Sequence, residues 1–164
     1  MKDEEYILKE YLDKKDNLSD PKRGILFAEL LKEQLEKHDL KVSEPNVFIK
    51  GLNKKFSLLI TKKHAKSQLG VYDINEVLAV FKLNAYGIMG DKVADIEKTF
   101  ADAKNISPKI ICFYVALRDN NNYTYPVNEK TLGYPTYCLF KIHNEHSKPT
   151  GDWNKLLKEI KNIK

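Results

Sequence analysis

The sequence predicts an α/β protein, a mixed central sheet flanked by helices in one domain, and three observations predict it. Residues Glu76–Gly87 read Glu-Val-Leu-Ala-Val-Phe-Lys-Leu-Asn-Ala-Tyr-Gly, an apolar, β-branched run of the kind buried on both faces of a sheet. A helical segment from Lys92 to about Lys104 separates it from the most β-prone run of the chain, Lys109–Leu117. A helix between two buried strands is a crossover, so these two strands should lie parallel. Upstream, Asn46–Gly51 and Phe56–Thr61 are strand-like and separated only by Leu52–Lys55, which predicts an antiparallel hairpin and makes the sheet mixed.

In chain order, residues 3–15 carry Tyr6, Ile7, Leu8, Tyr11 and Leu12 at helical spacing. Asp16–Lys22 is a loop, and Pro21 opens a second helix running to about His38, with Leu26, Phe27, Leu30, Leu31 and Leu35 as its apolar face. Lys41–Pro45 reads as a connector and Lys62–Tyr72 as a polar loop around Gly70. Gly87-Ile-Met-Gly90 reads as a turn, with Asp91 capping the crossover helix and Val93, Ile96 and Phe100 as its buried stripe. Arg118–Pro135 is long and polar, with a short helical turn expected near Val127–Leu132. Thr136–His143 is a last strand, and Asp152 is expected to cap a final helix carrying Trp153, Leu156, Leu157, Ile160 and Ile163.

Composition narrows the class. At 164 residues, 42% hydrophobic and 31% charged, the chain is large enough for a core and is not a disordered polymer. No run reaches the roughly 18 apolar residues of a membrane span. The amino terminus, Met-Lys-Asp-Glu-Glu-Tyr, lacks the apolar stretch of a signal peptide, so the expected location is cytoplasmic and no membrane partner is expected. Cys112 and Cys138 lie in strand-like segments and read as reduced core thiols. The net charge is +5, and all but Arg23 and Arg118 of the 28 basic residues are lysines. Lysine suits salt-sensitive attraction to a polyanion better than two-pronged reading of bases. Lys50, Lys54, Lys55, Lys62, Lys63 and Lys66 cluster around the expected hairpin; they read as a polyanion-contacting edge or as a charged guard against edge pairing.

The Glu76–Gly87 strand holds the anomaly that matters for function. Side chains alternate along a strand, so Val77, Ala79, Phe81 and Leu83 should share one face and Leu78, Val80, Lys82 and Asn84 the other. Two polar groups on one face of a central strand are costly without partners. They read either as a polar site or as a strand end fraying into solvent, with Lys82 reaching water through its stem.

The order helix, strand, strand, strand, helix, strand over Arg23–Leu117, together with Ala85-Tyr86-Gly87 after the central strand, resembles the core of the PD-(D/E)XK nuclease superfamily, the restriction-endonuclease-like fold. The resemblance implies an αβββαβ core with an added carboxy-terminal strand and helix. In that family an aspartate begins one strand, Glu-X-Lys follows on the next, and a helix glutamate sometimes joins them. The carboxylates hold Mg²⁺, which activates water beside the scissile phosphate. Laid on this chain, Ser57 stands where the aspartate would be, Lys82 where the glutamate would be and Asn84 where the lysine would be; Glu29 matches the helix glutamate. Read without the resemblance, Glu29 shares a helix side with Glu33 and Glu36, a solvated face. Glu29 paired with Lys82 would fill the old metal pocket with a salt bridge.

A hard dication needs anionic oxygens, and these substitutions leave none on the two strands. The resemblance therefore implies a catalytically silent protein with a binding or scaffolding role, its partners DNA or RNA contacted through Lys54, Lys55, Lys62 and Lys63, another protein, or a second copy in a homodimer. No cofactor and no metal are expected. The alternatives are a Mg²⁺-dependent nuclease whose carboxylates come from Glu29, Asp73, Glu76 or Asp91, and a partner-binding α/β module unrelated to nucleases. Other motifs carry less. His143-Asn-Glu-His146 reads as a surface loop rather than a metal site, His38 and His64 have no evident partner in sequence, and Ser57, His64 and Asp73 lack the context of a hydrolase triad.

Overall fold

The computed structural model describes residues 1–86, 90–120 and 132–163, leaving aside the side chains of residues 90, 91 and 120. The expected turn at 87–90, the capping role of Asp91 and most of the helical turn near Val127–Leu132 fall outside the described residues.

Two helices open the chain. In α1 (Asp3–Lys14), three acids occupy the first turn, where the helix dipole favours them, and Ile7 and Tyr11 are buried one turn apart. In α2 (Asp20–Glu36), Pro21 lies in the first turn and the buried stripe is Phe27, Ala28, Leu30, Leu31, Gln34 and Leu35. Strands β1 (Lys41–Val42), β2 (Phe48–Ile49), β3 (Leu58–Thr61), β4 (Val71–Tyr72) and β5 (Val77–Asn84) follow. Helix α3 (Gly90–Ile106) crosses to β6 (Ile111–Asn120), and β7 (Thr136–His143), β8 (His146–Pro149) and α4 (Asp152–Lys161) complete the chain.

Among the described residues, six strands form one sheet in the order β1-β3-β5-β6-β7-β8. The central trio β5, β6 and β7 is parallel, as the crossover helix requires, and both flanks are antiparallel. The sheet has helices on both sides. On one side α1, α2 and α4 pack Phe27, Leu31, Trp153 and Leu156 against Leu58, Phe81, Phe113 and Leu139. On the other, Ile96, Phe100 and Ala103 of α3 pack against Leu59, Val80, Cys112 and Tyr114. Burying Phe100 completely contributes about 2–3 kcal/mol, so the crossover helix is anchored chiefly by its apolar stripe.

The expected hairpin is corrected. Only the Val47–Phe56 bridge survives of it. The place beside β3 is taken by β1, inside the stretch read as a connector, and β2 pairs in parallel with β4, inside the stretch read as a loop. Backbone geometry gives the reason: Asn46 (φ +58°) and Gly51 (φ +91°) turn the chain at both ends of the segment and carry it off the main sheet. Ser43 completes the exchange, its amide donating to the Leu59 carbonyl and its Oγ accepting from the Leu59 amide.

The alternation along β5 is also corrected at one end. Ile60 pairs with Ala79 but Thr61 with Val77, so Leu78 is the extra residue of a bulge. Leu78 joins Ala79, Phe81 and Leu83 on the α2 side, and Val77 joins Val80 on the α3 side. From Ala79 onward the expected alternation holds, which is the part that places Lys82 and Asn84.

One further correction concerns the start of the last helix. Asp152 is the first residue of α4 and not its cap; its carboxylate accepts from the Cys138 amide, and its own amide donates to Thr150 Oγ. The His143–His146 segment is the tight turn of the β7–β8 hairpin, with Asn144 and Glu145 both at positive φ and both histidines exposed. Both cysteines are free and buried. Among the described residues no helix is long and apolar enough to cross a membrane.

Candidate functional site

The carboxyl end of β5 brings three of the four motif positions together. Leu58 pairs with Phe81, which puts Ser57, one residue before β3, beside Lys82. Ser57 extends the ladder with both backbone and side chain. Its amide donates to the Phe81 carbonyl at 2.9 Å, and its Oγ accepts from the Leu83 amide at 3.0 Å. On the other side Lys82 pairs with Tyr114 and Asn84 with Ala116 on parallel β6. Asn84 Oδ1 accepts from the Tyr86 amide at 3.1 Å, an Asx turn that ends the strand. Clefts outside the carboxyl ends of parallel strands are where α/β sheets bind ligands.

Lys82 is half-buried on the α3 side of the sheet. Burial pulls its pKa below the ordinary lysine value; Asp95 on α3 opposes that, and Lys54 and Lys55 reinforce it. Among the described residues no hydrogen bond or ion pair engages its ammonium. Asp95 is itself bridged to Lys54 at 3.2 Å, with both side chains about half exposed. The salt bridge over this end of the strand is therefore Lys54–Asp95, and not the expected Glu29–Lys82.

Glu29 does not reach the site. It is exposed on α2, whose apolar face packs on the opposite side of the sheet. Asp73 and Glu76 do not reach it either. Asp73 accepts from the Asn75 amide and caps the 3-10 turn Ile74–Glu76, while Glu76 accepts from the Lys66 amide. Six residues of extended chain separate Glu76 from Lys82, about 20 Å. The side chain of Asp91 lies outside the described residues. The four candidate surface lysines divide in the same way. Lys54 and Lys55 are exposed in the loop before β3 and act on Lys82. Lys62 and Lys63 follow β3 at the far end, where the Lys62 amide donates to the Glu76 carbonyl.

This donor set does not fit the hard dication that the family resemblance implies. Ser57 and Asn84 supply neutral oxygens, each already accepting from a backbone amide, and Lys82 supplies a cation. Among the described residues no group of three or more His, Cys, Asp and Glu side chains is gathered to hold a metal.

Two residues of the site were not found by reading the sequence. Asp95 lies on the α3 side that faces Lys54, and its reach depends on how the crossover helix docks. Tyr114 is 1% exposed, and its hydroxyl makes no hydrogen bond. Burial pushes its phenol above the ordinary tyrosine value, an effect the adjacent Asn84 side chain partly offsets. The signal for Tyr114 was a polar-tipped aromatic inside a buried run, but only the β5–β6 register places it beside Lys82.

No family model and no curated protein matches the sequence. Solved structures do match. The chain is similar to NucC of E. coli MS115-1 in its cAAA-bound form, with a TM-score of 0.68 and 12% identity over 97% of this chain and 87% of that one. It is similar to P. aeruginosa ATCC27853 NucC, also cAAA-bound, with a TM-score of 0.67 and 10% identity over 97% and 88%. The apo form of the E. coli protein gives 0.60 and 11% over 98% and 92%. NucC is a nuclease of the PD-(D/E)XK fold. At such identities the likeness is one of architecture, and in architecture the chain has the restriction-endonuclease-like fold of the PD-(D/E)XK nucleases.

Proposed function

We propose that this protein is a nuclease-fold module that binds nucleic acid without cutting it. One observation carries the reading: at the end of the central strand a half-buried lysine is flanked by two more lysines, at the position that the family resemblance assigns to a metal-binding carboxylate. That electrostatic character attracts a phosphate backbone and repels a divalent cation. The cAAA-bound state of two structural neighbours supports a ligand built of nucleotides on this architecture. With lysine supplying nearly all the basic charge, binding is backbone-directed and insensitive to sequence.

The test has two arms. Retardation of DNA and RNA at low salt should weaken steeply as salt rises, with a log–log slope near −3 on duplex DNA if Lys54, Lys55 and Lys82 each neutralise one phosphate. Incubation of supercoiled plasmid with Mg²⁺ or Mn²⁺ should leave it intact. Metal-dependent nicking that purifies with the protein would sink the silent-enzyme reading. Absence of any shift at low salt would sink nucleic-acid binding and leave a protein partner or a second copy as the ligand.

A further inference from the structure

The unspent hydrogen-bonding capacity around Lys82 is richest in donors. Ser57 and Asn84 have each committed their side-chain oxygen to a backbone amide, Oγ to Leu83 and Oδ1 to Tyr86. What remains on them includes two donors, the serine O–H and the asparagine N–H₂, the latter side chain lying against Tyr114. Lys82 adds an ammonium that no described residue engages, and its three donors have no acceptor of their own. Beneath them, Tyr114 contributes a hydroxyl 1% exposed as a residue and without a hydrogen bond. A buried hydroxyl left unpaired costs about 1–3 kcal/mol, and here the unpaired group sits behind the Asn84 side chain, across one strand spacing from Lys82. The charge balance agrees. Among the described residues, Lys54, Lys55 and Lys82 face one carboxylate, Asp95, which Lys54 already holds. Among the described residues, this run of donors and the net positive charge describe a site for a compact anion that accepts hydrogen bonds.

We infer that the side-chain cluster at the carboxyl end of β5 grips one backbone phosphate of a nucleic-acid strand directly, through the Lys82 ammonium, the Ser57 hydroxyl and the Asn84 amide with the Tyr114 hydroxyl beneath them, and with no metal between protein and phosphate. This deepens the proposed nucleic-acid reading and rests on it. A phosphodiester has two non-bridging oxygens and no donor, which matches what the cluster offers. Seating it gives Lys82 the counter-charge it lacks and Tyr114 an acceptor.

The test is the affinity of the full chain for a 20-base-pair DNA duplex in EDTA, measured by fluorescence anisotropy across a salt series. Three variants are compared: Lys82→Met, Tyr114→Phe and, as a control on the distant face of α4, Lys155→Met. Lys82→Met should weaken binding at least about tenfold and reduce the salt slope by about one. Lys155→Met should change neither. Tyr114→Phe should weaken binding several-fold while its melting temperature holds or rises, because it deletes an orphaned hydroxyl; a purely structural role would not separate the two readouts. Adding Mg²⁺ should not tighten binding. If the wild type binds with a steep salt slope but Lys82→Met and Tyr114→Phe bind as well as Lys155→Met, the site is refuted and the general nucleic-acid reading stands. A requirement for Mg²⁺ refutes metal-free grip. Melting in inorganic phosphate separates the remaining case: protection of the wild type but not of Lys82→Met, with no duplex binding, overturns the nucleic-acid source and the proposed function together.

Discussion

At the scale of single residues, burial decides chemistry. Cys112 is pushed up to about 12 and Cys138 to about 11, in both cases first by desolvation of the thiolate. Folded thiols should therefore resist a water-soluble disulfide reagent at pH 8 and react only after unfolding. Linkage gives a second readout. A thiol whose folded pKa lies above its unfolded value of 9.0 keeps its proton in the native state while the unfolded chain loses it. The folded state's advantage is whole below pH 9 and is lost as pH rises from 9 toward 12. Urea unfolding of wild type and Cys112→Val should therefore converge, the wild type losing about 1 kcal/mol more between pH 8 and 10; parallel pH profiles would count against a buried, desolvated thiol. The same scale shows what a sequence can reveal. Period-two alternation places Lys82 and Asn84 on one face of a strand, because nothing but local geometry is needed. Asp95 and Tyr114 stay hidden, because their positions depend on helix docking and on a register between strands far apart in the chain.

At the scale of elements, legibility follows length and apolar content. The eight residues of β5, the seventeen of α3 and the ten of β6 are readable because each carries enough apolar periodicity to define its state. The pairs β1, β2 and β4 are two residues each, and β8 is the polar tetrad His-Ser-Lys-Pro; their pairings are set by tertiary context, so sequence misplaced or missed them. The helical layer holds another tertiary device. Asp3 Oδ2 accepts from His38 Nε2 at 3.0 Å and from Trp153 Nε1 at 3.2 Å, joining the start of α1, the residues after α2 and the first turn of α4. His38 has no evident partner in sequence because Asp3 stands 35 residues away. Asp3→Ala removes both bonds and leaves a buried indole N–H without an acceptor, at a cost of about 1–3 kcal/mol. The melting temperature should fall by about 3–9 °C for a chain of this length, with most of the loss recovered in Asp3→Asn, which keeps an acceptor. Equal losses in both variants would show that charge rather than the shared acceptor makes the tie.

At the scale of the whole molecule, the fold and the chemistry separate. A sheet with helices on both sides delivers residues 57, 82 and 84 to one place, none of them a carboxylate, and the helix that packs over them supplies Asp95. If the scaffold positions these three side chains together, a metal site can be built on it by substitution. Ser57→Asp, Lys82→Glu and Asn84→Lys together should create a dication site, with Asp95 close enough to assist and Lys54 and Lys55 easing the repulsion between the new carboxylates. Without metal the triple variant should be less stable than the wild type, because Ser57→Asp and Lys82→Glu crowd negative charge at a strand end. Millimolar Mn²⁺ should then raise its melting temperature, about 2.7 kcal/mol of stabilisation accumulating at a hundred times the dissociation constant, while the wild type does not respond. Lys82→Glu alone should respond weakly, since one new carboxylate beside Asp95 makes a poor cage for a hard cation. A folded triple variant indifferent to Mn²⁺ would show that positions 57 and 82 do not converge as the architecture of the family requires, and would remove the ground for reading Lys82 as a replaced metal ligand.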